Sequence, residues 1–196
     1  NLKLFESTEN RYDTLHYLQD FIVMAGKMGA KTMVFGSPKN RQLQGIDISE
    51  ASKIGKEFFA SLAAVACKNN LDFCIEPNAP QYACDFITTA AEGTEFVKSV
   101  NTKGFSLHLD IACMALAGDD VEKAIIDGAP YLKHFHISSP MLEQVEDRPD
   151  VPHAKAAAAL RTIGYEGFVS IEMRPGEPGT NVERVKKAVT FAQSMY

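Results

Sequence analysis

The sequence predicts an α/β fold built of parallel βα units, and two observations predict it. First, five short apolar runs of strand length alternate strictly with longer segments of helical period. Second, four of those runs share one design, with apolar residues alternating with polar ones. They are Phe73-Cys74-Ile75-Glu76, Leu107-His108-Leu109-Asp110, Lys133-His134-Phe135-His136-Ile137-Ser138 and Val169-Ser170-Ile171-Glu172. Alternate residues of a strand share a face. Glu76, Asp110, His136 and Glu172 therefore end the polar faces, with Cys74, His108, His134 and Ser170 one step deeper. The four end residues are 34, 26 and 36 positions apart, about one βα unit each. Sites of α/β proteins gather at the C-terminal ends of parallel strands, which is where these four fall. The pattern implies a ring of metal ligands over a deeper polar layer.

The elements follow in order. Residues 1–10 show no period and read as a loop. From Arg11 to Met28, Leu15, Leu18, Ile22 and Ala25 recur at helical spacing, and Gly29 suits a C-cap. Lys31 to Phe35 is a strand, ended by Gly36-Ser37-Pro38, and Lys39 to Gly45 is a polar loop holding Arg41. Asp47 or Ser49 caps a helix running to Asn70, with Ile54, Phe58, Leu62 and Val65 on its buried face. The strand Leu71–Glu76 leads into a rigid loop, Pro77 to Tyr82. A helix over Asp85–Val100 precedes the strand Phe105–Asp110, and a helix over Asp119–Gly128 precedes the strand Leu132–Ile137. Ser138 to Pro152 is a long polar loop. A helix over Val151–Ile163, the strand Phe168–Met173 and a helix over Asn181–Met195 complete the chain as a single domain, 1–196.

Composition narrows the function. A net charge of −5 with no basic run argues against nucleic-acid binding. No apolar stretch reaches membrane-spanning length. Cys67, Cys74, Cys84 and Cys113 are scattered, without a CxxC pair, and read as reduced thiols. A cytoplasmic protein is the expectation. The chain opens on Asn1 rather than methionine, which suggests a processed chain or a fragment.

Five segments carry a family resemblance: Val34-Phe35-Gly36-Ser37-Pro38-Lys39-Asn40-Arg41, Ile75-Glu76-Pro77-Asn78, Leu107-His108-Leu109-Asp110, His134-Phe135-His136 and Ser170-Ile171-Glu172-Met173-Arg174. In their order and spacing the chain resembles the xylose isomerase-like TIM barrels, the sugar phosphate isomerase/epimerase group, with the endonuclease IV-like enzymes as cousins. The resemblance implies a parallel (β/α) barrel of which this chain holds strands four to eight of eight. It implies a metal held by Glu76, Asp110, His136 and Glu172, the same four residues that the strand faces select. The family usually carries a histidine three residues after the aspartate, at a substrate-binding position; here that residue is Cys113. The endonuclease-like branch needs a histidine where this chain has Gly36, and its Asp/His pair has Asp150 and His153 as nearest counterparts. Five strands cannot close an eight-stranded barrel and leave two open edges. The expectation is that the first three strands are missing, and open edges together with family habit suggest a homodimer.

Three carboxylates and one imidazole suit one divalent ion, Mn²⁺ or Mg²⁺ first, with Zn²⁺ or Co²⁺ as alternatives. Such an ion would polarise the carbonyl of a small sugar while Glu76 and Glu172, on opposite sides, remove and return a proton. This makes a sugar isomerase or epimerase the leading expectation. The alternatives are a metal-dependent hydrolase or lyase and a non-catalytic barrel fragment. His108 and His134 read as orienting residues beneath the ligands. Arg41 and Arg174 follow strand ends and suit a sugar hydroxyl or a phosphate, or else surface salt bridges. Asn78 and Tyr82 could hydrogen-bond sugar hydroxyls, or serve turn and packing roles. Cys113 reads as a small buried hydrophobe rather than a nucleophile. His153 could touch substrate or a second metal, or be a solvated loop histidine.

Overall fold

In the computed structural model, which describes residues 2–196, five strands form one parallel sheet in chain order. They are β1 (Thr32–Phe35), β2 (Asp72–Ile75), β3 (Phe105–Asp110), β4 (Leu132–Ile137) and β5 (Val169–Ile171). The described residues also form seven α-helices: α1 (Thr8–Lys27), α2 (Ile48–Lys68), α3 (Ala90–Val100), α4 (Ile111–Ala117), α5 (Val121–Gly128), α6 (His153–Thr162) and α7 (Asn181–Met195). The sheet curls enough that β1 approaches β4 although two strands lie between them. The arrangement is an incomplete parallel barrel with β1 and β5 at its edges.

The predicted bounds of β3, β4 and α7 coincide with those observed. Other elements shift, each for a local reason. Helix α1 starts at Thr8 because the Ser7 hydroxyl accepts the Asn10 N–H at 3.0 Å, so residues 8–10 are helical and not loop; Asn1 lies outside the described residues. Asp47 caps α2 through the Ser49 N–H at 2.8 Å. Helix α3 begins at Ala90 rather than Asp85. Thr89 and Glu92 form a capping box there, and Ile87 in the left-handed region (φ 62°) bars an earlier start. Strand β5 is three residues long, shorter than the predicted Phe168–Met173. Helix α4 was not anticipated: Ile111–Ala117 is apolar nearly throughout, too short to show a helical period. Asp110 caps it, and Gly118 ends it in the left-handed region (φ 76°).

The core lies between the outer face of the sheet and the helices. The outward residues of β3, Leu107 and Leu109, are buried there, and Phe135 of β4 is fully buried. The aromatic centre is Phe59 of α2, fully buried and in ring contact with Phe35, Phe58, Phe73, Phe96 and Phe105 at 5.1–6.4 Å between centroids. Gly104 brings the turn before β3 close under α2: a Cβ there would lie 2.5 Å from the Ala63 carbonyl oxygen. Because β2, β3 and β4 bury their apolar faces, a slip in register of one of them would turn apolar residues toward the site.

Phe59→Ala removes the ring that joins α2 to three strands and α3. It is expected to destabilise the fold by about 3–5 kcal/mol, read from the midpoint of urea unfolding. A change below about 1 kcal/mol would place the centre of the core elsewhere.

Candidate metal centre

The backbone ladder carries four polar side chains to one end of the sheet. Glu76 follows β2, and its N–H bonds Phe35 O at 3.1 Å. Asp110 ends β3 and pairs in register with His136 of β4. Glu172 follows β5, and its N–H bonds Ile137 O at 2.9 Å. One donor atom from each of Glu76, Asp110, His136 and Glu172 lies within 4.8 Å of the others. His136 Nδ1 is 3.2 Å from Glu172 Oε2 and 4.0 Å from Asp110 Oδ2. The sheet order places Glu76 and Glu172 at the two ends of the row, with Asp110 and His136 between them.

Asp110 is held hardest. Its Oδ1 accepts the Cys113 N–H at 2.7 Å as the cap of α4, and its Oδ2 accepts the Ser138 hydroxyl at 2.6 Å. Ser138 is fully buried, and no role was foreseen for it. The signal was present, because the alternation that selects His134 and His136 extends to Ser138 on the same face.

The electrostatics fit a cation. Burial, then the charge of Glu76, raises the Asp110 carboxyl to about 6, against the bonds from Ser138 and Cys113. Burial is also the main reason that the Glu76 carboxyl is raised, with repulsion from Glu172 adding to it. Glu172, more open, is held below its ordinary range by the hydrogen bond from His136. Burial opposes charging His136, but its bond to Glu172 and the surrounding carboxylates outweigh this and hold its pKa up. Among the described residues, the only ion-pair partners of these three carboxylates are histidines. Three clustered carboxylates without a lysine or arginine partner repel one another, and a divalent ion would relieve that repulsion. The oxygen-rich donor set fits such an ion.

Gly36 makes room for the row. A Cβ at this position would lie 2.3 Å from Glu76 Oε2. The place where the endonuclease-like branch carries a histidine is therefore filled here by the Glu76 carboxylate. Asp150 is exposed and ion-paired with Arg148 at 2.8 Å, and His153 lies apart from the row.

A cavity of about 870 Å³ opens over the four donors, and Asn78, Tyr82, Cys113 and Arg174 line it with them. Its size falls in the range of small-molecule sites, roughly 300–1,000 Å³. The Tyr82 hydroxyl accepts the Met141 N–H at 2.9 Å, tying the loop after β2 to the loop after β4. His108 and His134 lie deeper, as their strand positions require: His108 is fully buried, and its Nε2 is 3.3 Å from Glu76 Oε1.

Two expected contact residues lie elsewhere. Arg41 is fully buried and does not line the cavity. The short 3₁₀ turn Pro38–Asn40 folds the chain back, and Arg41 Nη2 donates to Glu76 O at 2.7 Å and Asn78 Oδ1 at 3.0 Å. Its planar guanidinium ties together the backbone that carries Glu76 and Asn78. It is not a surface ion-pair partner, and it stands behind the cavity wall rather than in it. His153 starts α6 and packs beneath α7: its Nδ1 is 2.9 Å from the Tyr196 hydroxyl, and its ring meets Phe191 edge-on at 5.0 Å. It lines a separate cavity of about 380 Å³. The loop before α6 turns inward, so His153 is buried and not solvated.

Residues 5–195 match the xylose isomerase-like TIM barrel family. The chain belongs to that family. Two D-psicose 3-epimerases are similar in sequence. That of Ruminiclostridium cellulolyticum is 32% identical over 130 residues, covering 65% of this chain and 44% of the relative. That of Agrobacterium fabrum is 31% identical over 118 residues, covering 60% and 40%. The matched part is therefore less than half the length of either relative. In three dimensions, the crystal structure of D-psicose 3-epimerase with D-tagatose from Clostridium cellulolyticum H10 superposes with a TM-score of 0.82 at 22% identity, over 100% of this chain and 74% of that one. A 3-keto-D-glucoside 4-epimerase from E. coli gives 0.83 at 16% identity, over 96% and 73%. At such identities the likeness is one of fold. Among the described residues, no helix of this family member is long and apolar enough to cross a membrane.

Two outcomes follow from this geometry. Gly36→Ala should push the Glu76 carboxylate out of the row and weaken binding of Mn²⁺ by about tenfold or more while the circular dichroism spectrum is kept; unchanged affinity by calorimetry would count against the close approach. The second concerns acid stability. Burial lowers His153 from the ordinary 6.5 to about 4. The unfolded chain then binds a proton below pH 6.5 that the folded chain refuses. The contribution of neutral His153 is full above pH 6.5 and is lost progressively as pH falls toward 4. In His153→Gln, the decline of the melting temperature over that window should be shallower than in the unmodified chain, whereas parallel curves would clear His153 of the role.

Proposed function

We propose that this chain carries the metal and proton-transfer centre of a ketose 3-epimerase acting on a small keto-sugar. One observation carries the proposal: two glutamates face each other across an aspartate and a histidine, with all four donor sets within 4.8 Å, at the floor of a cavity of sugar-binding size. The similarity to two D-psicose 3-epimerases supports the same chemistry. Glu76, Asp110, His136 and Glu172 would hold the ion, with Mn²⁺ or Mg²⁺ the ions that the oxygen-rich set suits best and Zn²⁺ or Co²⁺ second. When bound, the ion supplies Lewis-acid polarisation of the substrate carbonyl and its neighbouring hydroxyl.

The residues of the chain do the rest. One glutamate, as carboxylate, takes the proton from C3. The C–H electron pair forms a C2–C3 double bond while the carbonyl π pair moves onto oxygen. The other glutamate, as carboxylic acid, delivers a proton to the opposite face of C3, and the carbonyl re-forms with inverted configuration. One glutamate has gained a proton and the other has lost one, so the pair resets through solvent. Burial raises Glu76 and the His136 bond lowers Glu172, so the two start in different protonation preferences. Asp110, pinned by Ser138 and the α4 cap, keeps its orientation throughout. Asn78, Tyr82, Cys113 and Arg174 line the cavity and would touch the sugar. Cys113, where related barrels carry a histidine, leaves room and a weak donor in place of an imidazole.

The test is exchange of the C3 hydrogen of D-fructose or D-psicose in deuterated water with added Mn²⁺. Deuterium should appear at C3, and removal of the ion by a chelator should stop it. Glu76→Gln and Glu172→Gln should each lower kcat by about 10²–10⁴-fold while leaving the fold intact. Full exchange in both variants would end the proposal.

A further inference from the structure

Below the carboxylate row lies a second donor cluster that the proposed epimerase chemistry does not use. His108 of β3 pairs in register with His134 of β4, and His136 sits two residues further on the same face. The three rings crowd together: His108 and His134 centroids are 5.4 Å apart, His108 and His136 4.1 Å, and His134 and His136 5.1 Å. One ring nitrogen from each lies within 4.8 Å of the others. His108 is fully buried and His134 is 9% exposed. Neither nitrogen of His108, nor Nδ1 of His134, makes a hydrogen bond. The 3.3 Å approach of His108 Nε2 to Glu76 Oε1 is close but lies off the hydrogen-bond direction.

Buried ring nitrogens without partners are costly, because each gives up its bond to water and gains none in return. A cation shared by the three imidazoles would satisfy one nitrogen of each. Rings that converge on one ion stand about 5 Å apart between centroids, because each nitrogen sits about 2 Å from the ion. The observed separations are close to that. The donor set is nitrogen only, which favours Zn²⁺ and other ions of similar softness over Mg²⁺ or Mn²⁺.

We propose that His108, His134 and His136 form a second cation seat, selective for a Zn²⁺-like ion and competing with the carboxylate row for His136. A neutral imidazole has one nitrogen lone pair free to bind a metal, so His136 serves one ion at a time. Zn²⁺ in the deeper seat takes His136 from the row and weakens binding of Mn²⁺ there. The competition rests on the carboxylate row being a metal site, as proposed above; the deeper seat itself does not.

X-ray absorption at the zinc edge, on the metal-free 196-residue chain loaded with one equivalent of Zn²⁺, reads the ligands directly. Three imidazoles are expected; one imidazole with oxygen neighbours would place zinc in the carboxylate row and overturn the proposal. Calorimetric titrations with Zn²⁺ and with Mn²⁺ provide the second test. His134→Gln should weaken Zn²⁺ by about tenfold or more and leave Mn²⁺ within about threefold, and Glu172→Gln should do the reverse. Unchanged Zn²⁺ affinity in His134→Gln also overturns the proposal. Loss of Zn²⁺ in His134→Gln with no effect of Glu172→Gln on Mn²⁺ would keep the deeper seat and remove the row as a metal site. Should His134→Gln fail to fold, the absorption spectrum of the unmodified chain still decides.

Discussion

The site depends on the register between β3 and β4. His108 stands opposite His134, and Asp110 opposite His136. That pairing sets a carboxylate and an imidazole side by side at the strand ends and two imidazoles side by side beneath them. A shift of β4 by one residue would send His134 and His136 into the aromatic layer and bring Phe135 to the cavity. The register is held from the other face, where Leu107, Leu109 and Phe135 are buried against the helices. The apolar core thus fixes the geometry of a polar site with which it shares no side chain. The ladder is not perfectly regular, since it shifts between Leu107 and His108, at the point where the buried histidine begins the polar run.

The same alternation explains what could be read from the sequence. A period of two shows which residues share a face, so Glu76, Asp110, His136 and Glu172 stood out, and the structure brings them within reach of one another. The bounds of β3 and β4 were legible because both strands are buried and end at sharp changes of composition. The short helix α4 was not, because seven apolar residues after a buried strand show no period. The cap that starts it, Asp110, had already been given another role. The start of α3 was missed because the capping box at Thr89 and Glu92 competes with an equally plausible start at Asp85. Arg41 misled for a different reason. An arginine in a polar loop after a strand reads as a ligand contact or a surface ion-pair partner, and only the fold shows the carbonyls of Phe35 and Glu76 converging on its guanidinium.

Burying charge needs compensation, and the chain supplies it unevenly. Asp110 has two strong hydrogen bonds, from Cys113 N–H and Ser138. Glu172 has His136 and partial access to solvent. Glu76 is buried, raised in pKa, and approached by His108 without a hydrogen bond. Removing one partner from a buried polar group costs more than the bond it made. This gradient runs from a fixed carboxylate in the middle of the row to the least compensated one at its β2 end. It fits the proposed division of labour, in which Asp110 would anchor the ion and the end glutamates would change protonation state.

Gly36 and Arg41 show how the least compensated carboxylate is kept in place. The missing side chain at Gly36 leaves a slot that the Glu76 carboxylate fills to within van der Waals limits. The Arg41 guanidinium holds the Glu76 backbone carbonyl from below, so the side chain cannot retreat by moving the main chain. Asn78, bonded to the same guanidinium, is set on the cavity wall by the same contact. One buried arginine therefore positions Glu76 and a wall of the cavity together. The segment from β1 through Arg41 is the most N-terminal part of the sheet's site end, yet the β2 end of the row depends on it. In this fold the strand that contributes no member of the row decides where its first carboxylate stands.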